Sequence, residues 1–479
     1  MKRFKHIACS LMLIAGFSAQ AHSQDTTDKN TAFIEGAEAI IQGYTESGWF
    51  TGTVAIYKDD QIIFDKSYGL ADIENNIANQ SNTKIRIGSI NKHITAAILL
   101  RMVQDGKLTL EDTLAKFDLG FPAEVANKIT VRQLLSHRSG FADIFNDEYY
   151  RTYKSLKNIQ DKLPLLMDKP LLSEPGTKRE YSNYNYIVLG AIIEKISGQD
   201  FASVLKQEIL SKIGANDTEY ALTEDVTGKA LSYSTTMTGK KVDRTTMLEN
   251  VTPDGGMYST PSDLARFYSH LFYENTILND EMKAVLGNHY QKRDRKWEEI
   301  KANPDNIWSS YGGGPGVSAA VEVLFKDKLF IIVLANTDQL VAERISQRIA
   351  DLHQGKTPEP ALLPLGFFAY LYIEKNGIEA FSEKFETAIK EAGYKDYSDR
   401  WLNHLGFILW DEGEQDMSLA VLKKNVKLFP TVANAFDSLG LIYERLGNKD
   451  AAIANYRKAL ELDESFTSAK EGIERLSAS

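Results

Sequence analysis

Lys84-Ile-Arg-Ile-Gly-Ser-Ile-Asn-Lys-His-Ile-Thr-Ala-Ala-Ile-Leu-Leu-Arg-Met-Val103 changes its period partway along. Up to Gly88 apolar and polar residues alternate, as in a strand; from His93 to Val103 the apolar residues take helical spacing. Ser89 and Lys92 fall at the junction, so a helix that starts at Ser89 places both side chains on one face. A serine hydroxyl becomes a nucleophile when a base takes its proton. A lysine can be that base if burial and the positive end of the helix dipole lower its pKa. The same helix start makes the Ser89 backbone N–H a candidate donor to an oxyanion. Spacing alone decides little, because Ser81-x-x-Lys84 and Ser203-x-x-Lys206 also occur. What singles out Ser89 is its place between a strand and a long apolar helix.

Working outward, residues 52–69 alternate about Asp59-Asp60 and predict a β-hairpin. A second hairpin is expected far downstream, from Ala319–Phe325 and Leu329–Leu334 around Lys326-Asp-Lys328. Between them the text is mainly helical, notably at 90–105 and 185–197. The layout implies an α/β (α+β) domain: an antiparallel sheet drawn from both ends of the segment, with flanking helices and a helical insert.

The chain of 479 residues is long enough for two folded domains. It opens with Lys2, Arg3 and Lys5, an apolar run from Ile7 to Phe17, and Ala19-Gln-Ala21, the pattern of a cleaved secretory signal over residues 1–21. Export to the periplasm or the cell exterior is therefore expected, with no transmembrane segment, since no later stretch nears about 20 apolar residues. The one cysteine, Cys9, lies inside the signal, so the processed chain offers neither disulfides nor thiolate chemistry. The formal charge of −10 becomes about −13 once the signal's three cations are removed, which argues against nucleic acid as a partner.

Near residue 355 the character changes. Pro358, Pro360 and Pro364 interrupt the chain, and beyond them a period of 34 pairs Leu405 with Leu439, Gly406 with Gly440, Ser418 with Ala452 and Leu422 with Tyr456. These residues resemble the tetratricopeptide repeat (TPR), whose helical hairpins stack on one another and commonly bind protein or peptide. Residues 366–395 read as a degenerate third hairpin and 465–476 as a capping helix. The expected organisation is a signal at 1–21, a first domain at 30–353, a proline-rich linker at 354–365 and a TPR-like helical domain at 366–479.

Four stretches of the first domain, in order, resemble one family. They are Arg86–Ala96; Ile129-Thr-Val-Arg-Gln-Leu-Leu-Ser-His-Arg-Ser-Gly140; Tyr181-Ser-Asn183 with Tyr186-Ile-Val-Leu-Gly190; and Gly255-Gly-Met-Tyr-Ser-Thr-Pro-Ser-Asp-Leu-Ala-Arg-Phe267. Together they are similar to the serine β-lactamase-related hydrolases, which include class C β-lactamases, penicillin-binding DD-peptidases, D-aminopeptidases and esterases. The resemblance implies an acyl-enzyme on Ser89, with Lys92 as base, Tyr181 sharing the serine proton and activating the deacylating water, and Asn183 bonding Lys92 and the acyl side of the substrate. No metal or organic cofactor is implied. It also makes the His137 segment a structural loop, with a buried, hydrogen-bonded histidine in place of a general base. His93, a helix step from Lys92, is expected at the surface or in packing.

The chain departs from the family at its third motif, a Lys-Thr-Gly or His-x-Gly strand edging the site. Here it reads Trp308-Ser-Ser-Tyr-Gly-Gly-Gly-Pro-Gly316, a glycine run one residue shorter than is usual, which puts Tyr311 at the cationic position unless the alignment shifts by one. Gly312 and Gly313 would line the substrate, and Gly314 would supply the second oxyanion N–H. No Lys, Arg or His occurs between Lys301 and Lys326 to hold a substrate carboxylate by charge-assisted bonding. A dedicated β-lactamase is therefore disfavoured against an esterase, amidase or D-peptidase type. A different class of reading keeps the fold but makes the hydrolase weak or inactive, with the repeats docking a protein or cell-wall peptide.

Overall fold

The computed structural model describes residues 30–248, 250–288, 295–303, 306–337, 340–359, 361–395 and 397–478. The signal expected at 1–21 lies outside them. The chain divides into two units, one of residues up to Ser234 with Asp243–Pro358, the other of Thr235–Val242 with Glu359–Ser479.

Five strands build the first unit's sheet: β1 (Gly52–Lys58), β2 (Gln61–Tyr68), β3 (Ile307–Gly314), β4 (Val317–Leu324) and β5 (Leu329–Ala335). Their order is β2-β1-β5-β4-β3, antiparallel throughout, so the two sequence-distant hairpins meet where β1 pairs with β5. Asp59 and Asp60, at φ 50° and 62°, close the first hairpin; this left-handed pair twists with the strands, and aspartate tolerates it. Strands β4 and β5 are buried along their whole length, consistent with their near-continuous apolar text.

Helix α1 (Asn91–Gln104) is buried from Asn91 to Leu100 on every side. Its apolar residues therefore form no single stripe, as befits a central helix. Helix α2 (Asn183–Ser197) is buried from Asn183 to Ile193 and ends at Gly198, whose φ of 68° is the left-handed closure that glycine permits. Helices α3 (Pro261–Phe272) and α4 (Val341–His353) pack on the sheet. Side chains such as Ile94, Ile98, Ile187, Leu264 and Leu334 share one apolar core, each contributing about 1.5–3 kcal/mol by leaving water.

The second unit is helical: α5 (Leu365–Glu391), α6 (Asp399–Asp411), α7 (Gln415–Leu428), α8 (Ala433–Arg445), α9 (Lys449–Leu462) and α10 (Thr467–Ala478). The backbone leaves helical geometry at Gly377, so the residues expected as a degenerate hairpin at 366–395 form two helices either side of that glycine, with Phe368 and Tyr372 of the first packed on Phe385 of the second. The 34-residue period has a packing cause. A Cβ at Gly406 would come within 2.6 Å of Leu422, and one at Gly440 within 2.8 Å of Tyr456, so each glycine lets the large residue 16 positions on close its helical hairpin. Met237, from the 235–242 segment, joins the apolar core of this unit.

Candidate active site

Ser89 lies in a short 3₁₀ turn, Gly88–Ile90, that leads into α1. The turn brings the Lys92 Nζ to 3.1 Å from Ser89 Oγ. Lys92 is 2 % exposed and also donates to Asn183 Oδ1 at 2.7 Å and to the Asp254 carbonyl at 2.6 Å. Two acceptors besides the serine thus hold the amine against it. From the solvent side Tyr181, nearly half exposed, donates its hydroxyl to Ser89 Oγ at 2.9 Å. The structure therefore brings Ser89, Lys92, Tyr181 and Asn183 into one hydrogen-bonded cluster.

Each member is aimed by a second contact. Asn183 Nδ2 donates to Asp143 Oδ2 at 2.8 Å, which turns its carbonyl oxygen toward Lys92. Tyr181 stacks on His137 with centroids 4.5 Å apart, and the Ser182 N–H donates to His137 Nδ1 at 3.3 Å. His137 is buried at 1 % and braces the tyrosine, away from the serine proton. Helix α1 fixes the loop that supplies the Asp254 carbonyl: Asn91 donates to the Thr252 carbonyl and Thr95 to the Pro253 carbonyl. Gly190 on α2 admits Pro253, whose ring would lie 2.3 Å from any Cβ there.

The strand β3 runs directly against the Ser89 turn. A Cβ at Gly312 would lie 2.0 Å from the Ile87 carbonyl oxygen, and one at Gly88 would lie 2.8 Å from the Gly313 nitrogen. Only glycine backbone fits at this crossing. The contact fixes which face of β3 looks inward, and it corrects the expected register by one residue. Gly312 faces the turn, so alternation puts Ser310 on the inward face and Tyr311 on the outer one. Tyr311 does not occupy the cationic position: its hydroxyl donates to Glu322 at 2.6 Å and accepts from Gln347 at 2.9 Å. Burial, then the Glu322 carboxylate, pushes the Tyr311 phenol well up, and burial raises Glu322 itself. At the inward position stands Ser310, bonded to His93 Nδ1 at 2.8 Å and to the Tyr268 hydroxyl at 2.9 Å. His93 is thus buried in this network, at 8 % exposure, and not at the surface.

The same register bears on which glycine could offer the expected second oxyanion N–H. Gly314 and Val317 flank the two-residue loop Pro315-Gly316 and form the hydrogen-bonded pair that closes it. The Gly314 N–H is consumed there, while the N–H of Gly313 points off the free edge of β3. Gly313 lines a cavity with Ser89, and Gly314 does not.

Sequence reading missed Asp143, the Asp254 carbonyl and the Ser310–His93–Tyr268 network. All three act through contacts between segments distant in the chain. Among the described residues no group of His, Cys, Asp and Glu could hold a metal ion, and no helix is long and apolar enough to cross a membrane.

Comparison with known proteins identifies the family and the fold. The β-lactamase family pattern matches residues 37–356, and a tetratricopeptide repeat pattern matches 433–466. The teichoic acid D-alanine hydrolase of Staphylococcus aureus is 27 % identical over 233 residues, which are 48 % of this chain and 56 % of that protein. The chain therefore spans little more than half the length of that relative. A penicillin-binding protein from Bacillus halodurans superposes with a TM-score of 0.57 at 24 % identity, over 65 % of this chain and 99 % of that one. The D-amino acid amidase of Ochrobactrum anthropi SV3 superposes with a TM-score of 0.55 at 20 % identity, over 68 % of this chain and 99 % of that one. These two superpositions speak to the fold alone.

Proposed function

This chain belongs to the β-lactamase family, and from that premise we propose that it is an exported serine hydrolase that carries the acyl group of an ester or amide on Ser89. The observation that carries the reading is Ser89 Oγ, held between Lys92 Nζ at 3.1 Å and the Tyr181 hydroxyl at 2.9 Å. With Lys92 neutral, its amine takes the serine proton as Oγ attacks the carbonyl carbon. The carbonyl oxygen gains the charge and is met by the backbone N–H groups of Ser89 and Gly313. Collapse breaks the bond to the leaving alcohol or amine, and the proton held by Lys92 passes through Tyr181 to that group. Water then attacks the acyl carbon, its proton passing through Tyr181 and Lys92 to Ser89 Oγ as the bond from the acyl carbon to Oγ breaks, and the acid leaves.

Neither Ser310 nor Tyr311 can supply the cation that would hold a substrate carboxylate, which favours esters and amides over β-lactams. The helical unit is proposed to bind a protein or peptide, as stacked helical hairpins do. A fluorophosphonate probe tests the hydrolase reading: folded wild-type protein is expected to be labelled at Ser89 and Ser89→Ala to stay unlabelled. Equal labelling of both proteins overturns it.

A further inference from the structure

Lys162 is 2 % exposed, and among the described residues its Nζ makes no hydrogen bond and has no carboxylate oxygen within 4.0 Å. An amine so deeply buried is normally paired, because taking a charge out of water is costly. The carboxylate of its own helix turn, Asp161, is occupied by the helix start, where Oδ2 accepts from the Lys157 N–H at 2.8 Å and the Asn158 N–H at 3.1 Å. A second buried group lacks a partner: Asp254 is 3 % exposed, and its Oδ1 accepts no hydrogen bond. Packing brings the two residues together. Asn250, whose own Oδ1 is buried without a partner, donates through Nδ2 to the carbonyls of Tyr153 at 3.2 Å and Leu156 at 2.7 Å. These bonds lay the 250–254 loop along the segment that leads into the one-turn helix Ile159–Lys162. Pro253 and Ile159 then meet over Gly190, where a Cβ would lie 2.3 Å from the proline ring and 3.1 Å from Ile159 Cδ1. Lys162 stands three residues after Ile159, on the same helix face, and Asp254 follows Pro253. Asp254 also supplies the carbonyl that accepts from Lys92 at 2.6 Å. One buried carboxylate therefore has two buried lysines for neighbours.

Resting on the reading that Lys92 is the base for Ser89, we propose that Lys162 is a positioning residue for the proton of that reaction: its ammonium offsets the Asp254 carboxylate, which leaves Lys92 to meet Ser89 as a neutral amine. A neutral amine has two N–H donors and one lone pair. The carbonyl oxygens of Asn183 and Asp254 take the two donors, leaving the lone pair for the Ser89 hydroxyl 3.1 Å away. Without the charge on Lys162 the carboxylate would favour a proton on Lys92, and a protonated lysine cannot take one from serine. No other group around the three supplies that charge. Tyr149 and Tyr220 are neutral acids whose phenols are raised by burial and then by Asp254. Tyr181 and Tyr186 present rings to Lys92 Nζ at 5.0 and 5.7 Å. The Arg86 guanidinium is turned onto the Tyr258 hydroxyl, at 2.9 Å, and onto Thr223. Burial pulls the Lys162 ammonium down to about 8, opposed by Asp254 and then Asp161, so the offsetting charge is present below that pH.

The test is the rate of Ser89 labelling by the fluorophosphonate, followed against pH in the full chain, since the acid limb of the profile reports protonation of the base. Lys162→Met should move that limb to higher pH by about one unit, read as about a 10-fold loss of rate along it, with little change at high pH, where Lys162 is already neutral. Lys162→Arg keeps a permanent charge and should hold the limb at or below its wild-type position. Asp254→Asn removes the carboxylate and should move the limb the opposite way, to lower pH; it serves alone if the Lys162 variants do not fold. A side chain that only filled space would scale the rate equally at every pH. An unshifted limb in Lys162→Met or in Asp254→Asn overturns the charge relation and leaves the chemistry at Ser89 standing. Failure of wild-type Ser89 to label at any pH removes both.

Discussion

Asp143 Oδ2 accepts a 2.8 Å hydrogen bond from Asn183 Nδ2, and this bond orients the amide whose other end holds Lys92. The carboxylate touches neither Ser89 nor Lys92, yet it determines whether the lysine meets a carbonyl oxygen or an NH₂ group.

Asp143→Ala should therefore free the Asn183 amide to rotate and slow acylation by about 10- to 100-fold, with stability changed by no more than about 1–2 kcal/mol. Fluorophosphonate labelling rates alongside thermal melts would separate the two effects. An unchanged labelling rate would mean that Asn183 holds its orientation without Asp143.

Gly312→Ala should be among the most damaging single-methyl additions in the hydrolase unit, because its Cβ would lie 2.0 Å from the Ile87 carbonyl oxygen. Backbone must move to relieve that contact, at a cost of about 2–4 kcal/mol and with loss of Ser89 labelling. Denaturant unfolding measures the first quantity. A variant as stable and as readily labelled as wild type would contradict the close crossing of β3 over the Ser89 turn.

Glu322 gives a pH prediction whose sign is set by burial. Its carboxyl titrates above the ordinary 4.5, so between that value and its raised one the folded state binds more protons than the unfolded. Stability from this group is fully present below 4.5 and is lost as the pH rises through the raised folded value. Glu322→Gln should remove that component, so the melting temperature of wild type minus variant falls as pH rises across the window. A flat difference would show that the carboxyl titrates normally.

In the helical unit, Gly440→Ala would push a methyl to within 2.8 Å of the Tyr456 ring, and Gly406→Ala to within 2.6 Å of Leu422. Each should destabilise that unit by about 1–3 kcal/mol, read by calorimetry of the full chain as a downward shift of one unfolding transition. Exposed Gly413→Ala makes no such clash but sits at φ 89°, so its loss should come from backbone strain and be smaller, about 1 kcal/mol. Equal losses at all three positions would argue against packing as the cause of the repeat.

Much of this architecture is legible in the chain, because it follows from periodicities that local chemistry enforces. The alternation about Asp59-Asp60 fixes one hairpin, the apolar strands around Lys326–Lys328 fix another, and the 34-residue spacing of Gly406 with Gly440 fixes the helical repeat. Ser89 and Lys92 are legible together, since three residues of helix carry one side chain over the other. The one-residue placement of the glycine run was not legible. In a strand a slip of one turns every side chain to the other face, and nothing in Ser-Tyr-Gly-Gly-Gly says which glycine must meet another backbone.

By itself, then, the sequence determined the strands, the helices, the repeat and the serine–lysine pair, all products of spacing within a single element. Only the tertiary structure decided that Gly312 abuts the Ser89 turn, that Gly313 in place of Gly314 turns its N–H off the free edge of β3, that Asp143 aims Asn183, and that Asp254 and Asn250 keep buried acceptors without partners. The physical reason is common to all four. Each is a contact between segments tens to hundreds of residues apart, set by how closely two backbones can approach and by which polar atoms the packed core leaves without a partner.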